Sequence, residues 1–177
     1  IFFRNLTIEE LPNNNVPRVG EVLRRFGHAQ PASAIAAFEG GVFSPQDHDV
    51  LVFVGQENLV RMQAAGDLEG RLVLGLDAQA LRFRSMAWEA DTVYEQFREL
   101  NFGSWAEQLE VAGANIVLAQ FGQIEALDGE ERLPEFIATY HRLLDEFAQC
   151  TRKLVLISPI LFEKPLASHA PDLSQRN

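Results

Sequence analysis

Four carboxylates stand out for where they fall: Glu57, Glu89, Asp91 and Glu125 each lie shortly beyond a segment that reads as a β-strand. In open α/β sheets, ligands bind outside the carboxyl ends of the strands, near the switch in strand order, so side chains here are placed to do chemistry. Carboxylates crowded into one mouth raise one another's pKa and favour cations, which would make them an acid–base pair or a hard-cation site. The simpler alternative is that some occupy helix N-termini, where exposed N–H groups favour Asp and Glu. The histidines, His28, His48, His141 and His169, show no zinc-ligand spacing. His141 falls within an amphipathic segment and is expected at its surface or boundary, while His169 follows the last strand and could reach the mouth. A histidine without a positioned partner is a surface residue by default. Trp88 and Trp105 could stack on a sugar ring, although such aromatics more often form core or pocket wall. Gly40-Gly41 and the Gly113 region lack the strand–glycine–helix pattern of a phosphate cradle, so no nucleotide and no other cofactor is expected. Cys150 is the single cysteine, which excludes an internal disulfide and a thiolate metal site; no metal is expected.

The elements that must position these residues are readable from periodicity. Val50–Val54 is a continuous apolar run ending at Gly55, the pattern of a strand buried on both faces of a parallel sheet. Leu59, Met62, Ala65, Leu68 and Leu72 then recur at helical spacing. A second strand is predicted over 81–87, where Arg82 and Arg84 alternate with Leu81 and Phe83 as in an edge strand with a solvated face. Helix is predicted within 92–113 and a third strand over 116–121, ending at Gly122. Leu133, Phe136, Ile137, Tyr140, Leu143, Leu144 and Phe147 mark the cleanest amphipathic helix. A fourth strand is predicted over 153–158, with Pro159 ending it. This alternation predicts a three-layer, doubly wound α/β fold with a parallel sheet ordered 2-1-3-4. Ahead of it, residues 1–11 read as a strand, Pro12 and Asn13–Asn15 as a break, and 16–39 as one or two helices.

Bulk properties narrow the partners. The 177 residues, 47% hydrophobic and 23% charged, suit one domain with a remnant of another at one end. A net charge of −10 argues against nucleic acid or an anionic membrane surface and suits a small or neutral ligand. No stretch approaches the roughly 20 apolar residues of a membrane span, so no membrane insertion is expected. A single cysteine fits a cytosol and equally an exported bacterial protein that does without disulfides. The abrupt apolar start at Ile1 reads as a segment of something longer.

Three blocks at strand ends carry a resemblance. V-F-V-G-Q-E-N-L-V-R-M-Q (52–63), F-R-S-M-A-W-E-A-D (83–91) and L-A-Q-F-G-Q-I-E-A (118–126), with L-V-L-I-S-P after them, resemble in order and spacing the blocks of SGNH (GDSL) hydrolases. The likeness covers roughly residues 48–177 and is nearest to the divergent domains of large multi-domain bacterial proteins. It implies a flavodoxin-like architecture and an esterase acting on carbohydrate. It also implies which positions would be catalytic, and all of them are substituted: Glu57 stands where the nucleophilic serine would be, Ala90 at the oxyanion glycine and Ile124 at the oxyanion asparagine. Gln56, Trp88, Glu89, Asp91, Gln123, Glu125 and His169 would line the pocket. The family's Asp-x-x-His block does not occur before Asn177, and the domain reads as truncated at its C-terminus. Residues 1–11 resemble the closing strand of the jelly-roll domain of 3-keto-disaccharide hydrolases. The organisation implied is therefore 1–12 as the end of a preceding domain, 13–47 as a helical linker and 48–177 as the SGNH-like domain. Two functions follow: a carbohydrate-directed hydrolase with degenerate motifs, or a catalytically inactive binding or structural module of a larger carbohydrate-active protein. The partners would be a small-molecule or carbohydrate ligand and neighbouring domains. An extracytoplasmic location, periplasmic or secreted, is favoured.

Overall fold

A computed structural model describes residues 38–76, 80–96, 102–165 and 170–176, all within one compact unit, Pro31–Asn177. The strand expected at 1–11, nearly all of the helix expected over 16–39, and His169 lie outside the described residues.

Four strands form the sheet: β1 (Val50–Gly55), β2 (Arg82–Ser85), β3 (Ile116–Gln120) and β4 (Lys153–Leu156). Their order is β2-β1-β3-β4 and every pairing is parallel, as the alternation predicts. The helices are α1 (Glu57–Ala65), α2 (Asp67–Gly75), α3 (Trp105–Ala112) and α4 (Leu133–Ala148). Among the described residues, none is long and apolar enough to cross a membrane.

Alternation along the central strands produces the three layers. Val50, Val52 and Val54 of β1, with Val117 and Ala119 of β3, face a core closed by Trp105 and Leu109 of α3 and by Leu143 and Phe147 of α4. Leu51 and Phe53, with Ile116 and Leu118, face a second core with Leu59 of α1, against which Met62, Leu68 and Leu72 pack. Every residue of β1 and β3 is buried, which explains why both strands read as unbroken apolar runs. Trp105 and Phe147 are fully buried and meet edge to face at 5.2 Å. Complete burial of a Phe or Leu side chain contributes about 1.5–3 kcal/mol, so the α3–α4 layer is anchored at these residues. Trp105 is thus core rather than a sugar platform, and its indole N–H donates to Gln96 at 3.2 Å.

The outer strands differ from the inner ones. β2 alternates exposed and half-buried residues, with Arg82 and Arg84 on the solvated side, and is shorter than the predicted 81–87. The apolar spacing from Leu59 to Leu72 is broken in two by Gly66, whose φ of 70° ends α1 and begins α2. That left-handed conformation suits a residue without Cβ, so the chain turns there while the same apolar face continues. α3 starts at a capping box. The Ser104 hydroxyl accepts from the Glu107 N–H, and the Ser104 N–H donates to the Glu107 carboxylate at 2.8 Å.

One close approach fixes the carboxyl end of the two central strands. Gly55 pairs in register with Gln120, and a Cβ at position 55 would lie 2.2 Å from the Gln120 carbonyl oxygen. Only glycine fits there, so the chain turns from β1 towards α1 at a point set by β3.

Candidate functional site

The loops leaving β1, β2 and β3 are held together by one side chain. Glu125 opens a short 3-10 turn after β3 and is only 5% exposed. Its Oε1 accepts from the Val93 N–H at 2.8 Å, in the loop after β2. Its Oε2 accepts from the Gly122 N–H at 2.9 Å and from Gln56 Nε2 at 2.7 Å, the latter immediately after β1. A buried carboxylate is costly unless hydrogen-bonded, and these three amide donors meet that need. Gln56 is itself buried and Val93 belongs to the core, so water has little access to these two donors. The arrangement fits neither a pair of catalytic acids nor a helix cap. It clamps three loops to one another.

Beside this clamp lies a surface cavity of about 330 Å³, lined by Glu57, Asn58, Arg61, Gln123, Ile124, Leu127 and Phe162. Asn58 Nδ2 donates to Gln123 Oε1 at 2.6 Å, tying the start of α1 to the loop after β3 a second time. Glu57 is the first residue of α1, where the helix dipole favours a carboxylate. Its Oε1 accepts from Arg61 Nε one turn later. Bonding and charge from Glu57, then the field of Glu89, hold the Arg61 pKa above its ordinary value. Glu57, Glu89 and Arg61 therefore share one electrostatic neighbourhood at the mouth. Both side chains of the Glu57–Arg61 pair are solvent-exposed, and such a pair contributes little to stability.

The loop after β2 joins the same edge through the Trp88 N–H, which donates to the Gly55 carbonyl at 3.0 Å. Trp88 is 54% exposed and Asp91 is buried. Ala90 adopts φ 64°, one of three non-glycine residues in the left-handed region among those described. The backbone at 90 is thus one that glycine would adopt without strain, whereas an alanine there carries a Cβ penalty.

The structure accordingly brings Gln56, Glu57, Gln123, Ile124 and Glu125 to one edge, with Trp88, Glu89 and Ala90 beside them. The described histidines are elsewhere. His48 precedes β1, at the opposite edge of the sheet, and His141 is exposed on α4 and lines neither cavity at this end. Cys150 also lies at the far edge, just ahead of β4, and burial pushes its thiol pKa up, away from reactivity. Two serines lie towards the mouth side, Ser85 as the last residue of β2 and Ser158 just after β4. The Ser85 hydroxyl accepts weakly from the Ala87 N–H, and the Ser158 carbonyl accepts from Gln120 Nε2 at 3.0 Å. Among the described residues no group of three or more His, Cys, Asp or Glu side chains could hold a metal ion.

A larger cavity of about 650 Å³, not foreseen from the sequence, opens on the other side of Glu125. Phe121, Phe136 and Tyr140 wall it, the Tyr140 ring meeting each of the other two at 5.6 Å, and Leu133, Leu156 and Ser158 also line it. Burial, and secondarily the Glu125 charge, push the Tyr140 hydroxyl pKa far up. The signal available in the sequence was the pair Phe136 and Tyr140, four residues apart on one helix face, with Phe121 directly after β3.

Compared with known protein families and with curated proteins, the chain matches no family model and no curated protein.

Proposed function

We propose that this chain is an SGNH-like module that does not perform serine ester hydrolysis and serves binding or structure within a larger carbohydrate-active protein. The observation supporting this most strongly is how the side chains at the mouth are committed. Gln56 and Glu125 are consumed in the loop clamp, and Glu57, at the position where the resemblance puts a nucleophile, is ion-paired to Arg61. A carboxylate at 57 would repel a developing oxyanion rather than stabilise it. Ile124 supplies no side-chain donor, and one oxyanion donor is ordinarily worth about 3 kcal/mol in the transition state. A serine mechanism needs an adjacent base, and neither described histidine stands at this edge. Where the resemblance places a glycine, Ala90 keeps a left-handed backbone, which accords with a retained fold and altered chemistry.

The test is turnover of acetyl and p-nitrophenyl esters by the purified chain. The expected result is no hydrolysis above buffer, unchanged in Glu57→Ser because a nucleophile without a base is not activated. Hydrolysis that disappears in Glu57→Gln would overturn the reading and indicate a carboxylate mechanism.

A further inference from the structure

We draw no further inference here: the strongest candidate, the outer edge of β4, unpaired among the described residues, with the roughly 650 Å³ cavity beside it under the first turns of α4, carries nothing because the charged residues of its wall cancel, Glu125 and Glu130 against Arg132 and Arg176, and nothing in the structure shows what covers it.

Discussion

Replacing Glu125 by alanine removes the acceptor for three amide donors at once. Those donors come from the loops after all three strands that meet at the mouth. Each donor left buried without a partner costs about 1–3 kcal/mol. The cavity bordering Glu125 can admit water to some of them, so the full sum is not expected. A loss of about 3–5 kcal/mol follows, the cost of two to three neutral donors left short of an acceptor less what water recovers. Glu125→Gln keeps the shape and one acceptor oxygen. With that oxygen towards Gln56 and Gly122, the new NH₂ faces the Val93 N–H, leaving a single donor–donor conflict worth about 1–3 kcal/mol. Equilibrium urea unfolding followed by circular dichroism measures both variants, with an unchanged m-value showing that only stability moved. The order expected is wild type, then glutamine, then alanine. An alanine variant within about 1 kcal/mol of wild type would refute the clamp, since a surface substitution costs no more than that. Equal costs for Gln and Ala would show that the negative charge, and not the geometry of acceptance, holds the loops.

Other expectations follow from the same structure. Ala90→Gly should stabilise the protein by about 1 kcal/mol, because it relieves a left-handed alanine; a destabilisation in thermal melts would contradict the strain. Ser104→Ala should cost about 1 kcal/mol through loss of the α3 cap, and Ser104→Asp should recover most of it. The two tyrosines of the chain, Tyr94 and Tyr140, both titrate above the ordinary phenol value of about 10, chiefly because burial disfavours the phenolate. A raised phenol pKa stabilises the fold fully below the unfolded value and loses that contribution as pH rises towards the folded one. Tyrosinate absorbance should therefore appear only above pH 10, with the Tyr140 portion rising together with unfolding. Reversible ionisation of both tyrosines near pH 10 in folded protein would disprove the burial argument.

The parts of the molecule legible in the sequence are those fixed by local pattern. β1 and β3 announce themselves because burial on both faces demands an unbroken apolar run, and α4 because its apolar residues repeat at helical spacing. The run from Leu59 to Leu72 was legible as helical but not as two helices, since Gly66 in a helical pattern is tolerated as often as it breaks one. The site was half legible. That Glu57 and Glu125 sit at strand ends followed from the alternation. That Glu125 bonds residues 69 and 32 positions away did not, because no periodicity encodes a hydrogen bond across loops. The Asp49–Arg152 ion pair, which ties the opposite edge across 103 residues, was invisible for the same reason. The large cavity was missed because its aromatic wall is split between α4 and the residue after β3, and each half alone reads as core.

The tight fit at Gly55 makes the residue following β1 unreadable as a witness to chemistry. Any side chain there would drive an atom into the Gln120 carbonyl, so a saturation scan should return position 55 as intolerant whether or not the mouth does anything. Two positions on, Glu57 is ion-paired to Arg61 one turn later on its own helix and lines the wall of the smaller cavity without a comparable close approach, and the scan should find it more permissive. Glycine at 55 is therefore demanded by the strand-to-helix turn whatever group the following residues present. A glycine at that position records the spacing of two strands, and any evidence of chemistry at the mouth has to come from the residues beyond it.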